Sequence, residues 1–320
     1  MIKLTQSLPA ILGCTAIIAL SGCSSPTKDA APNGKLQVVA TTTIVGDVVK
    51  QIAGEEIDLT VLLPYNADPH SYEPTPQDTA LIAQADLVFV NGLGLEGFLE
   101  ALVTNAGKGA TVYTVSEGLE AKHFEGAEKD HAGESASTTE HADHEDGDPH
   151  VWTDPNNVQH WVANITSALS RHDPEHAAHY QQRATAYSAE LTALDQWIRQ
   201  QIDSIPPERR QIITDHQSFG YFAERYGLVQ VAALIPGYST ASAPSAQELA
   251  AIVDTIETLG VPAIFVGKTV NTALAERIVE DTGTRMVYVY TGSLGEAGGE
   301  AGSYLDYMHY NVNAFTEALR

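Results

Sequence analysis

Short apolar runs recur along the chain at a regular interval. LQVVATT, IDLTVLL, LVFVN and ATVYTV alternate with amphipathic stretches such as IVGDVVKQIAGE and PQDTALIAQA. After residue 208 the scheme repeats with QIITDH, LVQVAALI, AIFVG and RMVYVY. Runs of this length, rich in Val and Ile and separated by stretches of helical period, predict strands alternating with helices. The fold class that follows is α/β, with two similar lobes built on mainly parallel sheets.

Between the two halves the period changes. Tyr180, Ala184, Tyr187, Leu191, Leu194, Ile198 and Ile202 follow one another at steps of three and four until Pro206-Pro207. That spacing predicts one long helix, with Asp173 as its N-cap and Pro174 at its first position. From Tyr180 to Ile202 it extends roughly 33 Å at ~1.5 Å per residue. A helix over 173–205 would join a lobe at 35–172 to a lobe at 206–320 and act as one long rigid connector.

The first residues follow another logic. MIKLTQSLPAILGCTAIIALSGC has a lysine near its start, a short apolar run and a small-residue end. This is the pattern of a secretory signal, too short to span a bilayer. Leu20-Ser21-Gly22-Cys23 resembles a bacterial lipobox, which implies cleavage after residue 22, lipidation of Cys23 and a polar tether over 23–34. Cys14 would leave with the signal, so no disulfide forms. No later apolar run is long enough to cross a membrane. The expected location is extracytoplasmic and lipid-anchored, in the periplasm or on the outer face of the cytoplasmic membrane.

Charge narrows the partners. With 41 acidic against 17 basic residues, the net charge of −24 repels phosphate-rich partners and argues against nucleic acid. The same charge attracts small cations, although an acidic surface also keeps an exported protein in solution. Its placement is more telling. KHFEGAEKDHAGESASTTEHADHEDGD sets His123, His131, His141 and His144 among carboxylates with almost no apolar residue. Such a stretch does not offset the entropy of ordering, so residues 122–148 are expected to form a disordered loop. Its imidazole and carboxylate mixture favours weak, exchangeable binding of divalent metal. Its removal is expected to slow metal acquisition while leaving the main site's affinity nearly intact.

Three other histidines stand out. His70 lies in ADPHSYEPTP and His150 in GDPHVWTDP, each in an Asp-Pro-His triplet that leaves the backbone few conformations. His216 comes directly off the strand QIITDH. In open α/β sheets ligands gather beyond the carboxyl ends of strands, where His70 and His216 would sit, one from each lobe. Asp154-Pro155 after His150 is a cap and start for another helix. His172, His176 and His179 read as a solvated helix face. His160 and His309 read as packing or surface residues.

These motifs resemble a known family. DPHSYEPTPQD, DPHVWTDP, DHQSFGYFAERYGL, STASAPSAQELAAIVDTIETLGVPAIFV and SYLDYMHYNV are similar, in order and spacing, to signatures of the zinc- and manganese-binding (cluster A-I) solute receptors of bacterial ABC importers. The resemblance covers about residues 36–320. It implies two lobes joined by a long helix, with one metal in the cleft held by His70, His150 and His216. The sequence also departs from the pattern. Gly267 stands where relatives often have glutamate, and Ala243-Pro244-Ser245 where they often have Glu-Pro-Ser. Most informative is YVYTGSLGEAG. Relatives usually carry there an aspartate that serves as fourth ligand, and this chain has Gly292. Either Glu296 swings in, or the fourth position is open to water or to a transient ligand from the acidic loop. On the second reading, Gly292→Asp is expected to tighten binding and slow release.

The expected function is capture of Zn²⁺ as transported ligand and its delivery to an ABC permease, without chemistry on a substrate. Three imidazoles suit zinc, whereas a manganese site is richer in carboxylates. A receptor for Mn²⁺ or Fe²⁺ is the alternative within the family. A zinc hydrolase, with Glu73 or Asp215 as general base, is the alternative from another class, and a surface adhesin is a third. A periplasmic metallochaperone is a candidate donor, and the chain is expected to act as a monomer.

Overall fold

A computed structural model describes residues 34–106, 109–123 and 147–320. The first lobe carries β1 (Leu36–Ala40), α1 (Thr43–Ala53), β2 (Ile57–Val61), α2 (Pro76–Gln84), β3 (Leu87–Val90), α3 (Leu99–Ala106) and β4 (Thr111–Thr114). Next come α4 (Pro155–His172) and α5 (Ala177–Asp203). The second lobe carries β5 (Gln211–Thr214), α6 (Gly220–Tyr226), β6 (Val229–Ala233), α7 (Ala246–Leu259), β7 (Ala263–Gly267), α8 (Ala273–Thr282), β8 (Arg285–Val289) and α9 (Tyr304–Leu319). The strand orders are β2-β1-β3-β4 and β6-β5-β7-β8, every pairing parallel. The predicted strands and their parallel pairing are all present.

Why these segments form strands follows from their cover. LVFV of β3 and AIFVG of β7 are buried throughout, because helices pack on both faces of each sheet. Successive residues then serve different cores. Val38 and Ala40 face one cluster and Val39 another, and the same alternation separates Phe265 from Ile264 and Val266. The inward cluster is continuous from the first sheet through α1, α4, α5 and α9 to the second, with Trp161, Tyr187, Leu191 and Phe315 within it. Polar links cross the same junction: Tyr304 N–H donates to Asp47 Oδ2 at 2.8 Å, and Leu294 N–H to Thr43 Oγ1 at 2.9 Å.

The long helix is α5, 27 residues, and its buried face is the predicted stripe from Tyr180 to Ile202. Its start differs from expectation. Asp173 closes α4, donating its N–H to Leu169 C=O, and α5 begins only at Ala177. The Asp173 carboxylate instead braces the turn between them, accepting from His176 Nδ1 at 2.7 Å and Tyr180 OH at 2.6 Å. The two helices pack as an antiparallel pair, so the connection is thicker than a single rod. Asp154 does cap α4 as predicted, with Pro155 at its first turn.

Because one core serves both lobes, they are expected to melt together. Leu191→Ala, a truncation at a fully buried position on α5, should cost about 2–5 kcal/mol. Calorimetry should show a single transition at lower temperature, and two separated transitions would show the lobes to be independent.

Candidate metal centre

Three loops bring the site together. After β2 the chain continues in register, Leu62 N–H to Ala40 C=O and Leu63 N–H to Thr41 C=O, then turns through Asn66 at φ 60° into Asp68-Pro69-His70. The second triplet, Asp148-Pro149-His150, leads into a short 3-10 turn at Val151–Thr153. His216 follows β5 after Asp215. The three imidazoles meet edge to edge, His150 Nε2 lying 3.1 Å from both His70 Nε2 and His216 Nε2. Among the described residues these three form the one group of potential metal ligands within 4.8 Å of one another.

The aspartates beside them decide which nitrogen faces inward. Asp148 Oδ1 accepts from the His150 N–H at 2.9 Å and from its Nδ1 at 2.8 Å. Asp215 Oδ1 does the same for His216, at 2.7 and 2.8 Å, and its Oδ2 accepts from Gly267 N–H at 2.7 Å. A carboxylate at Nδ1 places the proton there, so each Nε2 presents a lone pair to the shared point. Asp68 behaves differently. Its Oδ1 accepts from the His70 N–H at 3.0 Å, and its Oδ2 accepts from Thr240 of the other lobe at 2.5 Å. In a tetrahedral site with bonds of ~2.0–2.1 Å the nitrogens stand about 3.3 Å apart, close to the spacing found.

Electrostatics point the same way. Burial, then the neighbouring imidazoles, holds His70 and His150 well below the ordinary histidine value of 6.5, so both stay neutral and able to ligate. Burial also pushes the Asp148 carboxyl up to about 7.

The other candidates fall elsewhere. Glu296 is exposed and outside the histidine group. Gly292 packs on the first triplet: a Cβ there would stand 2.6 Å from Pro69 Cδ and 2.8 Å from Cγ. An aspartate at 292 therefore presses on the turn that carries His70, a cost that sequence reasoning did not include. Gly267 is equally tight, with Asp215 Oδ2 at 2.8 Å from a Cβ position, so glycine there lets the strand approach that carboxylate. His123 is exposed at the foot of the acidic segment, while Cys23, His131, His141 and His144 lie outside the described residues. His172 bonds Tyr113 OH, His176 and His179 meet Glu56, His160 bonds the Glu117 carbonyl and His309 makes a T-shaped contact with Trp197. None of these five joins the cluster.

The structure brings together the three histidines that the sequence singled out, whereas their aspartates' work and the Thr240 contact were missed there. The signal was present, since an acid stands one or two residues before each histidine.

Comparison with known proteins completes the picture. The family described as zinc-uptake complex component A, periplasmic, matches residues 38–318. The chain is 33% identical over 311 residues to the manganese ABC transporter substrate-binding lipoprotein PsaA of Streptococcus mitis, covering 95% of this chain and 96% of that one. It is 34% identical over 307 residues to the manganese-binding lipoprotein MntA of Halalkalibacterium halodurans, covering 95% of each. Among solved structures, the periplasmic zinc binding protein TroA from Treponema pallidum superposes with a TM-score of 0.78 at 28% identity, over 89% of this chain and 99% of that one. The Mn-bound periplasmic metal binding protein from Candidatus Liberibacter asiaticus gives 0.76 at 25% identity, over 89% and 100%. The hydrolase alternative falls away, because these are binding proteins and not enzymes; Glu73 is exposed in any case, and Asp215 is committed to His216. With all three histidine loops and all but the first two residues of the sheets inside the matched span, the chain belongs to the zinc-uptake component A family, the substrate-binding proteins of ABC metal importers.

Proposed function

We propose that this protein captures Zn²⁺ outside the cytoplasmic membrane at His70, His150 and His216 and passes it to the permease of its importer, held at the membrane by lipid on Cys23. The observation that carries zinc is the donor set, three imidazole nitrogens with no carboxylate oxygen among them. Imidazole suits zinc and carboxylate suits manganese, and at any given nitrogen site zinc binds more tightly. Manganese is the second reading, favoured by relatives that carry that metal in their names. With Gly292 in place of an acid, the fourth position is left to water or to a passing ligand from the acidic segment. That segment acts as a recruiter, concentrating cations near the cleft.

Competition decides between the metals. Elemental analysis after equilibration at equal free Zn²⁺ and Mn²⁺ should find zinc, and manganese in the site would refute the assignment. Gly292→Asp should narrow zinc's margin, since it adds an oxygen while pressing on Pro69.

The pH dependence has a defined sign. His70 and His150 titrate well below 6.5 when folded, so below 6.5 the unfolded chain binds more protons at both, and their contribution to metal-free stability falls as pH drops. Asp148, raised from 3.8 to about 7, acts in the opposite sense, as do Asp47, Glu96 and His176, all of them raised. Because both imidazoles stay neutral in the folded protein, protons compete little with zinc for them, and the gain from saturating zinc should be largely retained between about pH 7.5 and about pH 5.5. A gain that collapsed over that interval would show these imidazoles charging in the folded protein and would argue against a neutral donor set. For the recruiting role, removing residues 124–146 should slow loading at scarce zinc with equilibrium affinity retained; loss of tight binding would make the segment part of the primary site.

A further inference from the structure

The two ends of the acidic segment meet directly beside a ligand. Asp148 N–H donates to Lys122 C=O at 2.7 Å. Gly147 adopts φ +81°, and a Cβ there would stand 2.6 Å from Ala121 Cβ and 2.9 Å from Lys122 O. A neck drawn this tight requires glycine. It is gripped from the other lobe. The Tyr221 hydroxyl on α6 donates to Asp148 C=O at 2.9 Å and accepts from Lys122 N–H at 3.0 Å. Lys122 also pairs with Glu224, one turn further along α6, and its Nζ lies 5.5 Å from the centre of the Tyr221 ring.

Asp148 thus has two attachments. Its backbone belongs to the neck, and its carboxylate holds the His150 ring and N–H. Pro149 between them has a fixed φ, and its carbonyl accepts from Asn91 Nδ2 at 3.1 Å, so little slack separates neck from ligand. We propose that Tyr221 is a positioning residue for metal binding: its hydroxyl locks the neck of the segment to α6 and so isolates His150 from forces exerted by residues 124–146. The proposal rests on the reading of His150 as a metal ligand. Without the hydroxyl, Lys122 N–H and Asp148 C=O lose this partner, and any pull on the neck reaches Asp148 and turns His150 away from His70 and His216.

The test is zinc dissociation into excess chelator, followed by stopped flow on four proteins: the full chain, Tyr221→Phe, the chain with residues 124–146 replaced by a short Gly-Ser link, and both changes together. The ring survives in Tyr221→Phe, so packing is kept. In the full chain the substitution should raise the dissociation rate about tenfold, the effect of losing a hydrogen-bond pair. In the shortened chain, where nothing pulls on the neck, the rise should be less than about twofold. Equal rises in both backgrounds would reduce Tyr221 to a structural residue and overturn the proposal, as would no rise in the full chain. His150→Ala serves as the separate control. If it leaves zinc binding intact, the site assignment itself fails, whereas its loss of binding together with an inert Tyr221→Phe would sink the neck lock alone.

Discussion

Three imidazole lone pairs directed at one point are what the rest of the structure has to hold in place. With both protons held at Nδ1, the bare Nε2 atoms of His150 and His216, 3.1 Å apart, gain nothing from facing one another. Left free, the rings would turn outward to water. They do not, because Asp148 and Asp215 fix two of the rings from behind and the burial of His150 and His216 removes the competing solvent. On the proposed reading, a cation bound there would turn that arrangement into coordination.

Most of the architecture was legible because it is written in periodicity. Each buried strand run lies where its apolar residues lie, and the α5 stripe from Tyr180 to Ile202 is buried residue for residue. The start of that helix was not legible. Asp followed by Pro signals an N-cap, yet here α4 reaches Asp173 first, and the carboxylate serves the turn between two helices. Local chemistry does not distinguish those uses; the packing of α4 on α5 does.

The site divides along the same line. His70 and His216 were legible because they sit in loops beyond strands, a rule that needs only the order of elements, and His150 because it repeats the Asp-Pro-His triplet. The contacts that complete the site join residues far apart in the chain: Asp68 with Thr240, Asp148 with Tyr221, Pro69 with Gly292. Each depends on how the two lobes meet. The absence of an aspartate at 292 could be read from the sequence, whereas the proline that fills the space could not.

The continuous core beneath both lobes has a consequence for the scale of motion that the cargo requires. Receptors that enclose a sugar or peptide must part by many ångströms to let it out. A metal–nitrogen bond is only ~2.0–2.1 Å long, and lengthening it by about 1 Å ends it. His70 comes from one lobe and His216 from the other, so with both holding the ion as proposed, a small relative tilt would withdraw a ligand from it. A backbone too stiff to open wide is therefore no handicap here: for a cargo one atom across, the thickness of a hydrogen bond is travel enough.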